Sequence, residues 1–388
     1  MDKIYTMNEA RKYLARLHFS KNKNVYEVVR KLQAIQYDPL NVVGRNPDLV
    51  LQSRIKNYKP EMLQKELYQK RTLVDGFDKM LCIYPAEDYP YLKRLRRTTV
   101  WWYRENPEIT SAFEDVRKII REKGPVSSDD IGMDQKVAWP WGATRLSRAV
   151  LESMWMAGEL TIHHKEGARR YYDLAERHLS GEILFMEDPN ADEESYFEWQ
   201  TLRRIHAVGM LRKGPSDAFL GIENFKAAER NRAFETLLQK RLIAEINVEG
   251  DKYYIPSENL PLVDSSFPVS SLARVIAPLD NLMWDRKLIQ RIFSFDYTWE
   301  VYTPKEKRKY GYYVLPVFYK DRFIARFEPE PFRGGKLSVK SWWWEENVRI
   351  TDSMKKAILT MLSDFVRYLG AESFDADIPG FSLISGMF

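Results

Sequence analysis

Two stretches of the chain spell the same succession of elements, and this repetition narrows the fold more than any single motif. In the first, Val116-Arg117-Lys118-Ile119-Ile120 has helical character, Gly124-Pro125 stops it, and Ser127, Ser128 and Asp129 offer capping oxygens. A second helix is expected over 145–158, where Leu146, Val150, Leu151, Met154 and Trp155 recur at helical spacing. Leu160-Thr161-Ile162 and Arg170-Tyr171-Tyr172 then flank Gly167 as a short hairpin. Roughly ninety residues on, 202–211, Lys213-Gly214-Pro215, 231–241 and 243–255 give helix, turn, helix and hairpin again. That order is a winged helix, written twice.

The N-terminal segment fits a modified first copy. Asn8 is placed to cap a helix containing Ala10, Tyr13, Leu14 and Leu17, and Pro60 to start another through Leu63 and Leu67. Residues 72–77 and 80–84 would make its wing. Residues 185–198 carry Glu187, Asp188, Asp192, Glu193 and Glu194 and read as a solvated connector. Beyond about 263 the pattern is strand-rich, with 299–302 and 311–318 alternating as paired strands and a closing helix over 352–368. The expected fold class is therefore α+β. Three tandem winged helix-turn-helix domains (1–112, 113–195 and 196–262) precede a C-terminal β-rich module (263–388).

A chain of 388 residues exceeds one ordinary core, and its 44% hydrophobic content suffices for several. Sixty Lys and Arg against 55 Asp and Glu give a net charge of +5, a modest bias compatible with nucleic acid. The cations cluster: Lys93, Arg94, Arg96 and Arg97 adjoin Trp101 and Trp102, and Lys305, Lys307, Arg308 and Lys309 precede Tyr310. Cys82 is the only cysteine, a small buried hydrophobe in Met80-Leu81-Cys82-Ile83-Tyr84, which excludes an intrachain disulfide and a four-cysteine zinc site. The start lacks an apolar signal core and no run reaches membrane-spanning length, so a cytoplasmic location is expected. His163 and His164 would point to opposite faces of a wing strand, and His18, His178 and His206 show no partner, so no metal or nucleophilic set emerges. Gly334-Gly335 lacks the spacing of a phosphate loop. Trp342-Trp343-Trp344 would alternate between faces of a strand, as core packing plus one exposed ring.

The chemistry-bearing candidate is Gln36-Tyr37-Asp38, which follows the helix-like stretch Val25–Leu32 and precedes Pro39. Proline disfavours helix at the residue before it, so Asp38 should be extended, with Gln36 and Asp38 on one side of the chain. An amide beside a carboxylate can position and polarise a water, and the carboxylate can stabilise positive charge developing on a sugar ring. Taken alone, the same three residues also spell an ordinary turn or helix stop.

Longer matches accompany the triplet. L-Q-A-I-Q-Y-D-P-L-N-V-V-G-R at 32–45, A-P-L-D-N-L-M-W-D-R at 277–286, F-S-F-D-Y-T-W-E-V-Y at 293–302 and K-R-K-Y-G-Y-Y-V-L-P at 307–316 resemble the winged-helix DNA glycosylases of the AlkZ/YcaQ type. The triplet takes the Gln-hydrophobic-Asp form of the YcaQ branch. The resemblance implies excision of alkylated bases and unhooking of DNA interstrand crosslinks. It implies Asp38 and Gln36 as catalytic residues, and a DNA-binding, lesion-handling hairpin at Lys307, Arg308, Lys309 and Tyr310. Arg45, Arg148 and Arg232 complete the DNA-binding candidates, with Arg145 and Arg230 on the same helical stretches. The arginines equally suit a solvated helix face. The expected partner is double-stranded DNA with alkylated or crosslinked bases, bound by a monomer without metal or organic cofactor. No lysine adjoins the motif as a Schiff-base nucleophile. Two departures bear on substrate range. Asn46-Pro47-Asp48-Leu49 stands where the crosslink-repair members carry histidines, and Gly76-Phe77-Asp78-Lys79 replaces a Trp-Ser/Ala-His stretch. The alternative from the residues themselves is a non-enzymatic DNA-binding regulator of the same fold.

Overall fold

A computed structural model of the chain describes residues 3–20, 24–99, 103, 106–140, 142–374 and 381. Helices and strands alternate along it in an α+β arrangement. The fold forms two compact units, Glu61–Tyr196 and the pair of segments Met1–Pro60 and Phe197–Phe388. This grouping cuts across the sequence segments 1–112, 113–195, 196–262 and 263–388, because residues 61–112 pack with the segment that follows them. Lys165 bonds Asp75, and Arg71 donates to the carbonyls of Ile162 and His163. Among the described residues no helix is long and apolar enough to cross a membrane.

In the Glu61–Tyr196 unit, helix Phe113–Lys123 ends at Gly124, whose φ of 84° suits a residue without Cβ. Helix Leu146–Ala157 ends at left-handed Gly158, and strands Leu160–Glu166 and Arg169–Leu174 form the hairpin. Val116, Ile120, Val150, Met154, Ile162 and Tyr172 close one core between these elements. Strands Leu73–Phe77 and Leu81–Pro85 pair antiparallel, with Cys82 fully buried. The acidic connector is not simply solvated. Glu187 pairs with Lys93 and Asp188 with Arg94, and helix begins at Glu193. Trp101 and Trp102 lie outside the described residues.

The histidines also differ from expectation. A bulge between Ile162 and His164 interrupts strict alternation and sets the Nδ1 atoms of His163 and His164 2.8 Å apart. His178 has a partner after all, with its Nε2 2.7 Å from Asp173.

The other unit contains helix Glu193–Val208 from Phe197 on, a helix that starts earlier than 202 and stops before 211, and helix Ala227–Gln239. Its hairpin pairs Ile243–Val248 with Asp251–Pro256. Both hairpins receive a strand-like residue from the turn between their helices: Val126 bridges to Tyr172, and Leu211 to Tyr254. Helix Met7–Phe19 is capped by Thr6 in a capping box with Glu9; Asn8 lies inside the helix. Strands Ala273–Val275, Leu315–Tyr319, Arg322–Pro329 and Val339–Trp344 form an antiparallel sheet in that order. Phe365 of helix Asp352–Leu369 meets Phe327 edge-on at 6.4 Å, and Trp342 stacks on Phe327 at 5.7 Å. Trp343 and Trp344 are half-buried, so the tryptophan run exposes no ring fully.

His18 is buried in this unit, its Nε2 2.9 Å from the Val208 carbonyl. Burial, reinforced by the neighbouring Arg54 charge, pushes its pKa from 6.5 to about 4. The unfolded chain therefore takes a proton that the folded chain refuses, and stability is lost as pH falls from the upper value toward the lower. Relative to a His18→Asn variant, wild type should lose about 2 kcal/mol between about pH 7.5 and pH 5 in denaturant titrations. A constant difference between the two proteins would remove His18 from the acid response.

Candidate active site

Helix Val25–Leu32, capped by Asn24, stops where Gln33 turns to a φ of 66°. A two-residue strand, Ile35–Gln36, follows, with the Gln36 side chain buried. Asp38 does not continue that strand. Its half-buried carboxylate turns back to accept the Leu40 amide at 2.8 Å. This is a side-chain-closed turn ahead of the helix Asn46–Gln52, for which Arg45 is the N-cap residue. Gly44 is required here: its φ is +118°, and a Cβ would lie 2.0 Å from the Tyr368 hydroxyl oxygen.

The segment 275–281 staples this loop in place. Asn46 donates to the Gln36 carbonyl at 2.7 Å while its own amide oxygen accepts Leu279 N–H at 3.1 Å. Asn281 donates to the carbonyls of Leu32 and Ala34, at 3.1 and 2.9 Å. Gln52 donates to the Val275 carbonyl at 2.9 Å, and Phe332 N–H to the Val42 carbonyl at 2.8 Å. Arg54 and Asp280 form a buried two-point ion pair at 2.7 and 2.8 Å. The departure at Asn46-Pro47-Asp48 is thus structural: Asn46 holds the backbone of Gln36, and buried Asp48 accepts the Tyr58 hydroxyl at 2.7 Å.

Burial pushes the Asp38 carboxyl above its ordinary value, against the Leu40 hydrogen bond. The Tyr313 phenol is also held up, first by burial and then by Tyr297 and the Asp38 charge, so Tyr313 and Asp38 lie within electrostatic reach. Tyr368 is raised by burial, Asp48 and Tyr313, and lowered by Arg45. These links gather Asp38, Tyr313, Tyr368, Arg45 and Asp48 into one polar neighbourhood. Sequence reasoning reached Asp38 and Arg45 but saw Tyr313 only as part of the strand-like stretch 311–318, and missed Tyr368.

The basic run does not cap a hairpin. Residues Glu300–Tyr302 and Lys305–Lys307 are single 3-10 turns, and the strand partners of Leu315–Tyr319 are Ala273–Val275 and Arg322–Pro329. Two carboxylates hold the loop instead. Glu300 accepts the amides of Lys309, Tyr310 and Gly311 at 2.7, 3.0 and 3.3 Å. Burial opposes its charge, but those three amides and Arg308 outweigh it and hold the Glu300 carboxyl below its ordinary value. Glu328 accepts Tyr312 and Tyr313 amides at 2.7 and 3.4 Å. Arg308 donates to the Thr303 carbonyl and lies 5.0 Å above the Tyr312 ring. Tyr310 sits between Lys309, at 5.2 Å, and Arg326, at 4.1 Å. Lys307 and Lys309 are exposed.

The helix arginines have local partners. Arg148, in the Glu61–Tyr196 unit, pairs with Glu152 at 3.1 Å; Arg145 pairs with Asp129. Arg232 pairs with Glu229 at 3.3 Å, and Arg230 is buried, donating to the Lys213 carbonyl. Among the described residues no group of three or more His, Cys, Asp or Glu side chains is arranged to hold a metal ion.

The fold has a counterpart among known structures, and the sequence matches a family model. The structure matches the Streptomyces sahachiroi DNA glycosylase AlkZ with a TM-score of 0.66 and 16% identity, covering 97% of this chain and 100% of that one. At such low identity the likeness concerns the fold. Family assignment comes from the sequence model described as DNA glycosylase AlkZ-like, which matches residues 29–368, from just before the Gln36-Tyr37-Asp38 triplet through nearly all of the final helix. The chain belongs to the AlkZ-like family of DNA glycosylases.

Proposed function

We propose that the chain hydrolyses the N-glycosidic bond of N7-alkylguanine-type bases in duplex DNA, as a monofunctional glycosylase working through Asp38. The observation that carries this reading is the carboxylate itself: half-buried, bonded to Leu40 N–H, and mounted on a loop stapled from three sides. Alkylation at N7 puts positive charge on the base, which then leaves as a neutral molecule with the electron pair of the glycosidic bond. The enzyme needs to stabilise the oxocarbenium-like sugar and direct a water to it. Asp38 supplies negative charge to the sugar and takes the proton of the attacking water, while Gln36 orients that water.

Two units with the same helix, helix and hairpin order, each with a bridge from turn to second strand, support a tandem winged-helix scaffold with a modified N-terminal copy. Family membership favours the enzyme over the non-catalytic regulator. Incubation with a duplex carrying N7-methylguanine should release the base and leave an abasic site; no release in single-turnover reactions sinks the substrate assignment. A crosslinked duplex run in parallel reads whether unhooking belongs to the same site.

Lys307 and Lys309 are exposed cations of the pinned loop, whereas Arg308 is tied to the loop's own backbone. Replacing both lysines by alanine should flatten the salt dependence of DNA binding, by roughly one unit of slope for each phosphate that the variant no longer neutralises. Superimposable salt titrations for wild type and the double variant would reduce the run to a solvated turn.

A further inference from the structure

The pinned loop displays one residue that the reading above leaves unused. Tyr302 is 85% exposed, the most exposed large hydrophobic side chain among the described residues. Its backbone is nevertheless firmly set. It closes the 3-10 turn Glu300–Tyr302, in which Thr303 N–H donates to the Glu300 carbonyl at 3.0 Å. The neighbouring Glu300 is buried and carries three loop amides, the Thr303 carbonyl accepts Arg308 Nε at 2.9 Å, and Pro304 fixes the next φ. The half-buried Trp299 meets the Tyr302 ring edge-on at 6.0 Å and 81°, bracing one side only.

With only Trp299 against its edge, the ring keeps most of its apolar surface in water, where a partner outside the chain can cover it. The surroundings select the chemistry of that partner. Lys305, Lys307, Arg308 and Lys309 follow within the same loop against the single carboxylate of Glu306, a strongly cationic setting suited to a polyphosphate backbone. Phe267 and Leu272 are also exposed in this unit, but no comparable run of cations flanks them. The far end of the same loop brings Tyr313, whose amide is held by Glu328, to the neighbourhood of Asp38.

We infer that Tyr302 is a wedge residue, whose ring enters the base stack of duplex DNA where a nucleotide has been extruded. The inference rests on the glycosylase reading, because a base cannot be hydrolysed inside the stack and must leave a gap behind it. A planar ring fills such a gap by stacking on the flanking bases, and the lysines beside it hold the adjoining phosphates. The phenol contributes its π-face rather than its hydroxyl, so phenylalanine should serve as well.

Binding to a duplex with a central tetrahydrofuran residue, which presents the gap without requiring catalysis, tests this in the full chain. Wild type should prefer it over the intact duplex. Tyr302→Ala should lose about tenfold in affinity for the gapped duplex with little change for the intact one, and Tyr302→Phe should keep the preference. Equal preference in wild type and Tyr302→Ala, or equal loss on both duplexes, overturns the wedge. An unchanged thermal midpoint would show that the exposed side chain was removed without disturbing the fold. The substrate reading fails separately: if N7-methylguanine duplex yields no abasic site while the tetrahydrofuran preference still depends on Tyr302, the wedge stands and the substrate does not. Normal base release with a Tyr302-independent preference sinks the wedge alone.

Discussion

Asp38→Asn should lower single-turnover base excision by about a thousandfold while leaving DNA affinity nearly unchanged. The amide keeps the shape and can still accept the Leu40 N–H bond, so the turn survives. What disappears is the negative charge facing the sugar and the site that takes the proton of water, effects worth about 10²–10⁴ in rate for general bases alone. Gln36→Ala should be milder, about tenfold, because bulk water can partly replace an oriented one. The pH profile gives an independent check. Burial raises the Asp38 pKa, so the active carboxylate is lost on acidification earlier than an ordinary aspartate would be, and the acid limb should lie above the ordinary aspartate value. Asp38→Asn should have no such limb. Wild-type excision rates in the variant at saturating enzyme would remove Asp38 from the mechanism.

What the sequence made legible follows from how local each signal is. Helix Val25–Leu32 and the Gly124 and Gly158 helix stops are written in side-chain periodicity and in backbone angles that favour glycine. The Gln36-Tyr37-Asp38 triplet lies where that helix must end, so its position was legible too. The side-chain bond at Asp38 was not: the proline ahead spoke only to the backbone, while the carboxylate found the Leu40 amide. Loop 300–313 misled for a related reason. Tyr310-Gly311-Tyr312-Tyr313 has the composition of a strand, but buried Glu300 and Glu328 take the amides that a strand partner would have taken. A carboxylate competing with a ladder leaves no periodic trace.

The support of the site was hidden by sequence distance. Asn46 and Leu279 are 233 positions apart, and Asn281 and Leu32 are 249 apart, yet both pairs are hydrogen-bonded. The stretch 277–286 stood out as a family resemblance, but nothing local in it says that the Leu279 amide, the Asn281 side chain and Asp280 hold the loop around Asp38. Its chemical content becomes clear only when the fold closes. The stretches that carry the resemblance thus include scaffold.

That scaffold should be costly to break. Asp280 has no exposed surface, Arg54 is 1% exposed at its side chain, and their two hydrogen bonds tie the end of helix Asn46–Gln52 to the segment that holds Leu32 and Ala34. Asp280→Ala leaves the guanidinium buried without its counter-ion, and breaking a buried pair in this way costs about 3–5 kcal/mol. It also removes the side-chain acceptor for the Leu282 amide, next to the Asn281 staple. Denaturant titration should show that loss. A double replacement of Arg54 and Asp280 by methionine and leucine should recover much of the stability, because no charge is left stranded. Stability and excision need not return together. In the double variant the staple at Asn281 loses the flanking Asp280 turn that fixes it, so excision should stay below wild type although the protein is folded. Full recovery of both would mean that the ion pair holds the fold alone and that the geometry around Asp38 is set without it.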